Sequence, residues 1–252
     1  MNYFDLTGKK ALVTGASRGL GRDMAEALME AGAEVVLAGR TDTILQIADQ
    51  YKEAGYACHA VTADLSKDGS AAELFSAAVD LLTDAPDILV NAAGVQSRHP
   101  SEVFPLADWQ TVIDVNLTAV FQLCQLSGRK MIEKGQGKII NVASMLSFFG
   151  GITVPAYAAS KGGVAQLTKA LSNEWSGKGI NVNALAPGYM DTDMNINLIN
   201  DPVRNREILR RIPAGRWGKA ADMKGITIFL ASDASDYVCG AVIPVDGGYL
   251  GR

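Results

Sequence analysis

Three side chains in the second half of the chain have the chemistry and spacing of an acid–base centre. Tyr157 and Lys161 lie four residues apart in 155-PAYAASKGG-163, and Ser144 lies thirteen residues upstream. Residues four apart share a helix face, and a neighbouring ammonium stabilises a phenolate. We therefore expect the pKa of Tyr157 to fall towards neutrality, where a proton donor or acceptor is useful. Ser144 would then steady a substrate oxygen. Alone, a Tyr-x-x-x-Lys spacing is more often structural, because tyrosine commonly packs with its ring buried and only its hydroxyl exposed to solvent.

A glycine loop near the amino terminus predicts a bound dinucleotide. The stretch 14-TGASRGLG-21 follows the first apolar run and precedes a helical pattern. In that context glycines allow a tight turn, close approach of backbone to phosphate, and close helix–strand packing. The free N–H groups of the following helix would face the anion. The expected cofactor contacts in this loop are Gly15, Ser17, Arg18, Gly19, Leu20 and Gly21.

These residues must be positioned by alternating strands and helices. Seven short apolar runs read as strands buried on both faces: 10–14, 34–38, 57–61, 87–91, 138–143, 180–186 and 241–245. Amphipathic stretches between them predict helices over roughly 20–31, 42–54, 69–84, 106–134, 156–176 and 220–231. The expected fold class is α/β, a doubly wound (Rossmann) seven-stranded parallel sheet with helices on both faces. We expect one domain over 1–252, with a substrate lid at about 190–217 beyond the strand ends.

The composition of the chain argues against several classes of binding partner and of stabilising site. A formal net charge of -4 argues against nucleic acid or an anionic membrane as the main partner. Three widely separated cysteines and two histidines suggest neither a disulfide framework nor a metal site. The first ten residues lack an apolar signal segment, and no apolar run approaches a membrane span. The expectation is a cytoplasmic protein.

Taken together, the motifs resemble the short-chain dehydrogenase/reductase family over essentially the whole chain. They are the T-G-x-x-x-G-x-G loop, 91-NAAG-94, Ser144, Tyr157-x-x-x-Lys161, 187-PGYMDT-192 and 246-DGG-248. The resemblance implies hydride transfer between a nicotinamide and a carbinol or carbonyl carbon, with Tyr157 carrying the proton. It implies a catalytic set of Ser144, Tyr157, Lys161 and Asn116, the last supporting a water chain from Lys161. Tyr157 and Lys161 would also contact the cofactor.

The second strand favours NADP(H) as cofactor, with NAD(H) still possible. Gly39 stands where NAD-binding members of the family usually carry Asp, and Arg40 follows it. Arg18 and Arg40 could bind a ribose phosphate through charge-assisted bonds, or could be solvated surface charges. At the other end of the cofactor, Thr192 resembles the residue that fixes the carboxamide of the nicotinamide. The remaining cofactor-side residues implied by the resemblance are Asp64, Leu65, Asn91, Ala92, Gly94, Pro187 and Gly188.

The later segments resemble a sugar-acid dehydrogenase branch of the family, which acts on deoxygluconate or ketodeoxygluconate. Its small anionic substrates require a cation. Arg98 is the candidate carboxylate clamp, with His99 as a partner, and an exposed loop charge is the alternative. Arg216 could also contact the substrate, besides Ser144 and Tyr157.

Other functions remain open. A 3-oxoacyl-thioester reductase or a gluconate 5-dehydrogenase would share the motifs, and a nicotinamide-nucleotide-sensing protein could bind cofactor without turnover. The intact Ser144–Tyr157–Lys161 set argues against a sensor. The resemblance also implies a homotetramer built on the helices around 106–134 and 156–176.

Overall fold

The computed structural model describes residues 2–252, and its core is one sheet of seven parallel strands. The spatial order is β3-β2-β1-β4-β5-β6-β7, so the order reverses between β1 and β4. This confirms the predicted doubly wound fold class. The strands are β1 (Lys10–Thr14), β2 (Glu34–Gly39), β3 (Cys58–Thr62), β4 (Ile88–Asn91), β5 (Gly137–Val142), β6 (Ile180–Pro187) and β7 (Val242–Val245).

The apolar runs become strands because each is covered on both faces. Every residue of β4, β5 and β6 is buried, and separate apolar clusters fill the two sides of the sheet. The register places Thr14 beside Asn91, and Asn91 beside Asn141. The carboxyl ends of the three central strands therefore finish at one level.

Nine helices connect the strands of the part described. They are α1 (Gly19–Glu30), α2 (Thr43–Glu53), α3 (Ser70–Leu82), α4 (Leu106–Ile113), α5 (Ala119–Lys134), α6 (Pro155–Trp175), α7 (Ile196–Asn200), α8 (Pro202–Leu209) and α9 (Lys224–Ala231). The predicted single helix over 106–134 is interrupted by a π-helical turn, Asp114–Thr118. The turn continues the helix on both sides and contains no Pro or Gly, so the sequence pattern did not show it.

The segment 190–217 leaves the sheet after β6 and returns to the same place. Asp191 N donates to Gly218 O (2.7 Å), and Gly218 N donates to Tyr189 O (2.9 Å), closing its base. The segment carries α7 and α8 and is tied down by buried Ile208 and Ile212.

No helix within residues 2–252 combines the length and apolar character needed to cross a membrane.

Candidate active site

The site lies where the central strands end, because β1 and β4 are joined there. Thr14 Oγ1 accepts from the amides of Ala92 and Ala93, both at 3.1 Å. Gly15 then turns the chain with a φ of +68°, and a Cβ on it would lie 2.7 Å from Ala93 Cα. Any side chain at this position would collide with backbone, so the first glycine of the motif is fixed by packing as well as by φ.

Ser144 and Tyr157 come together beyond the end of β5. Ser144 caps a short 3₁₀ turn, its Oγ accepting from Leu146 N at 3.1 Å. Tyr157 lies in the first turn of α6, which opens with Pro155. Because the Leu146 amide fixes the Ser144 oxygen, its single hydroxyl proton remains free to donate. The predicted pairing of the two hydroxyl groups is therefore possible in this fold.

The expectation that Lys161 lowers the pKa of Tyr157 is wrong for this structure. Burial raises the pKa of Tyr157 and outweighs a hydrogen bond from Ser144 that lowers it. Lys161 Nζ lies 5.7 Å from the centre of the Tyr157 ring and donates to Val142 O at 2.6 Å. The ammonium thus lies against a strand carbonyl rather than against the phenol oxygen. Lys161 is itself buried, which lowers its pKa from 10.5 to about 8.

Asn116 is fully buried in the π-helical turn and fastens the start of the chain beyond β4. Its Nδ2 donates to Val95 O (2.9 Å) and to Ser160 Oγ (3.1 Å), while its Oδ1 accepts from Val95 N (2.8 Å). A Cβ on Gly94 would lie 3.5 Å from Asn116 Oδ1 and 3.8 Å from Lys161 Nζ. Gly94, Asn116 and Lys161 therefore meet, and the role of Asn116 in a water chain stays a prediction.

The end of β2 is crowded, and a side chain at Gly39 would require its neighbours to move. A Cβ on Gly39 would lie 2.2 Å from Ser17 Oγ and 3.0 Å from Ile44 Cβ. Arg40 is exposed immediately after it. The Asp64 carboxylate accepts from Ser66 Oγ (2.7 Å) and Ser66 N (3.2 Å), and these bonds lower its pKa. These residues fit a ribose that carries a phosphate better than one whose hydroxyls need a carboxylate partner.

Arg18 reaches across from the glycine loop to the 190–217 segment. Its Nη1 lies 3.1 Å from Asp193 Oδ2, and both side chains are about three-quarters exposed. Thr192, the predicted carboxamide residue, has its Cγ2 3.7 Å from where a Gly19 Cβ would stand. The start of this segment therefore lies against the glycine loop.

The remaining cofactor-side residues occupy the same edge of the sheet. Asn91 is buried and its Nδ2 donates to Asn141 Oδ1 (2.9 Å), which makes it part of the sheet's internal support. Gly188 N donates to Val245 O (3.0 Å), and a Cβ on Gly188 would lie 2.7 Å from Asp246 Cα. The others are Leu20 in α1, Leu65 after β3, Ala92 after β4 and Pro187 at the end of β6.

Of the two arginines predicted to contact the substrate, Arg98 is the one whose guanidinium is not already paired with a carboxylate in the described part of the chain. It is exposed and forms no ion pair with any of residues 2–252. Arg216 instead forms a two-pronged pair with Asp222, at 2.7 and 2.9 Å, which lowers the pKa of Asp222 to about 2. Contact of either arginine with substrate stays a prediction.

Two features at the site were not found from the sequence. Asp108, in the first turn of α4, accepts from Ser97 Oγ and from His99 on either side of Arg98. An acidic residue in the first turn of a helix is common because it interacts favourably with the helix dipole, so nothing in the sequence indicated that Asp108 has a second role. An aromatic cluster also forms, with ring centres of Tyr189 and Trp217 5.5 Å apart and of Tyr189 and Tyr249 5.3 Å apart. It joins chain segments that no local pattern links.

Comparison with known proteins agrees with this geometry. The sequence model of the short chain dehydrogenase family matches residues 9–202. The 2-dehydro-3-deoxy-D-gluconate 5-dehydrogenase of Bacillus subtilis is 49% identical, covering 99% of this chain and 97% of that protein. An Agrobacterium tumefaciens structure described as a 2-deoxy-D-gluconate 3-dehydrogenase with bound NADP is 48% identical, covers 100% of both chains and has a TM-score of 0.93. A Burkholderia cenocepacia gluconate 5-dehydrogenase with NADP and tartrate is 39% identical, covers 100% of this chain and 98% of that one, and has a TM-score of 0.95.

Proposed function

Since the chain belongs to the short-chain dehydrogenase family, we propose that it transfers a hydride between a nicotinamide cofactor and a hydroxyl or keto group of a small sugar acid. The observation that carries this is the meeting of Ser144, Tyr157 and Lys161 at the strand ends beside the glycine loop. A sensor without turnover would not need these three side chains together.

Each catalytic side chain has a separable task. When bound, the nicotinamide supplies or accepts the hydride. The raised pKa keeps Tyr157 a neutral phenol near pH 7, so it gives its proton to a carbonyl oxygen that is being reduced. Ser144 donates a hydrogen bond to that same oxygen. Lys161, with a pKa of about 8, can gain or lose a proton near neutral pH, and a water chain past Asn116 would carry that proton to and from solvent.

NADP(H) is the cofactor we propose, with NAD(H) as the alternative. Support comes from the absence of a carboxylate at Gly39, where Ser17 and Ile44 crowd the position of a Cβ, and from Arg18 and Arg40, which would hold the ribose phosphate. The loop Gly15–Gly21 and the N–H groups opening α1 would hold the diphosphate. Relatives described with bound NADP support the same assignment. An NADPH enzyme would work mainly as a reductase.

A ketodeoxygluconate-type acid is the substrate we propose, by likeness to the Bacillus subtilis enzyme. A gluconate-type acid, oxidised or reduced at C5, is the second candidate, by likeness to the Burkholderia enzyme, which is 39% identical over the whole of this chain. Arg98 would bind the carboxylate, and the 190–217 segment would close over the substrate.

The test is absorbance of the reduced nicotinamide, with NADPH and NADH each offered a panel of keto-acids. The panel holds a 3-deoxy-ketogluconate, 5-ketogluconate and a neutral keto-sugar of equal length. We expect the acids to be reduced faster than the neutral sugar, with NADPH preferred. Tyr157→Phe should abolish turnover while NADPH affinity stays near normal. Unchanged rates in that variant would refute the mechanism, and no turnover of any acid would refute the substrate class.

Assembly and location are further proposals. A homotetramer through the faces of α5 and α6 is supported by the exposed ring of Phe121 on α5. Light scattering should give four times the chain mass of 26.6 kDa. A cytoplasmic location stays a prediction.

A further inference from the structure

The chain beyond β4 forms a strap between the catalytic groups. We call Val95–His99 the 95–99 strap. At its start both backbone groups of Val95 are held by Asn116, next to Lys161 Nζ. At its end His99 N donates to Thr153 O at 3.0 Å. Since Thr153 belongs to the segment that joins Ser144 to Tyr157, the strap connects both sides of the site.

The Thr153 anchor is held in an uncommon backbone conformation. Its φ is +63°, in the left-handed region that β-branched residues rarely adopt. Such conformations persist where the surrounding structure over-determines them, and they gather at functional sites. The carbonyl that meets His99 is therefore aimed by the fold rather than by local preference.

A single carboxylate holds the strap between these ends. One oxygen of Asp108, Oδ2, lies 2.7 Å from Ser97 Oγ and 2.6 Å from His99 Nε2. The Ser97 hydroxyl and the His99 ring N–H both donate to it, because an ionised carboxylate only accepts. The His99 ring also packs edge-on against Phe104, with ring centres 5.2 Å apart. The residues before and after Arg98 are thus both fixed by their side chains.

Arg98 stands between these two fixed neighbours with its guanidinium exposed. Asp108 is occupied by Ser97 and His99 and takes no ion pair from Arg98. A cation whose backbone is already ordered loses less entropy when an anion binds, so its affinity is higher than that of a charge on a loose loop. The arrangement is that of a cation presented for an anionic ligand.

We propose that Asp108 is a positioning residue for substrate selection, holding Ser97 and His99 so that Arg98 meets the carboxylate of the substrate. This rests on the proposed function in one respect, that the substrate is a small carboxylic acid. Asp108 itself touches neither substrate nor cofactor. Its removal therefore weakens the binding of anions and leaves cofactor binding and the chemical step intact.

The test measures binding of tartrate, a small hydroxylated dicarboxylate, to the full-length NADP-loaded protein by fluorescence titration. We expect Arg98→Ala to weaken tartrate binding at least tenfold and Asp108→Ala to weaken it three- to tenfold. The affinity of Asp108→Asn should lie between those of the unmodified protein and Asp108→Ala. Glu102→Gln is the matched control, since it removes one exposed negative charge from the same stretch without removing an anchor. It should leave the tartrate affinity unchanged within twofold.

A double variant separates positioning from general destabilisation. In the Arg98→Ala background, Asp108→Ala should have no further effect on tartrate affinity, because the cation it positions is gone. In steady-state assays Asp108→Ala should raise KM for the acid substrate and leave kcat, and KM for a neutral keto-sugar, within twofold. If Asp108→Ala folds poorly, Ser97→Ala should give a threefold or greater loss by removing one of the two anchors.

The outcomes also separate this inference from the proposed function. Full tartrate affinity in both Asp108→Ala and Ser97→Ala, an equal loss with and without Arg98, or no tartrate binding by the unmodified protein would overturn the positioning role. Tartrate binding that depends on Arg98 and Asp108, in a protein that reduces no sugar acid, would overturn the proposed substrate and leave this inference standing.

Discussion

Replacing Lys161 by methionine should make the protein more stable at neutral pH while it abolishes turnover. Burial lowers the pKa of Lys161 from 10.5 to about 8, so the folded protein holds this proton less tightly than the unfolded chain. The resulting destabilisation is complete below about pH 8, where both states are charged. It fades as the pH rises towards 10.5, where the unfolded chain also loses the proton.

The size of the effect follows from that fall in pKa. A drop from 10.5 to about 8 corresponds to roughly 3 kcal/mol of destabilisation at neutral pH. Methionine keeps an apolar stem of similar length but loses the donor to Val142 O, at a cost of about 1–2 kcal/mol. We expect the free energy of unfolding of Lys161→Met to exceed that of the unmodified protein by about 1–2 kcal/mol at pH 7. The gain should fall by about 2 kcal/mol when the pH is raised to about 9.5.

Urea unfolding of both proteins at the two pH values measures this difference. Lys169→Met is the matched control, because Lys169 is exposed on the same helix, α6. Its effect on the unfolding free energy should be small and equal at both pH values. A stability difference for Lys161→Met that does not change between pH 7 and pH 9.5 would show that burial does not depress this pKa, and would refute the reasoning.

Three further substitutions test the residues proposed to hold the cofactor and the Thr153 anchor of the 95–99 strap. Asp193→Asn should tighten the binding of NADPH and of 2′,5′-ADP two- to fivefold in calorimetry, because it removes the carboxylate that competes for Arg18. Gly39→Asp should weaken NADPH binding at least tenfold and lower the unfolding free energy by about 1–3 kcal/mol, since its Cβ overlaps Ser17 Oγ. Thr153→Asn should raise the unfolding free energy by up to about 1 kcal/mol in urea titration, because asparagine tolerates a left-handed φ better than threonine.

Each of these has its own check. Asp193→Asn should leave the affinity for 5′-AMP, which lacks the 2′-phosphate, unchanged; equal tightening of both nucleotides would contradict competition at Arg18. Retained NADPH affinity in Gly39→Asp would mean that the phosphate is not held at this strand end. Thr153→Val, which keeps the β-branch, should not be more stable than the unmodified protein.

The sequence located the strands within about a residue or two of their ends, because burial on both faces leaves continuous apolar runs. It located most helices equally well where an amphipathic pattern ran unbroken, but α9 begins at Lys224, four residues after the predicted start, because 220–223 forms a 3₁₀ turn. It missed the π-helical turn around Asn116, since the five residues Asp114–Thr118 continue the helix and contain no Pro or Gly to mark a change. It also left 190–217 without regular structure, although α7 and α8 form there.

The candidate site was less evenly predictable. Ser144, Tyr157 and Lys161 were identifiable by type and spacing, and the structure brings them together. Their electrostatics were not, because burial raises the pKa of Tyr157 and Lys161 Nζ points at Val142 O, and a spacing of four residues determines neither. Asp108 was missed because its partners, Ser97 and His99, are joined to it only by the path of the chain in three dimensions.

The strand order also has a consequence for how the chain is made. β1 lies at the centre of the sheet, yet its partner β4 begins at Ile88, more than seventy residues after β1 ends. A ribosome that has released the chain only as far as α3 therefore exposes the unpaired, apolar edge of β1, which is a template for wrong pairing. Closing it requires a contact between distant parts of the chain, and such contacts form slowly. We expect fragments that end before β4 to aggregate.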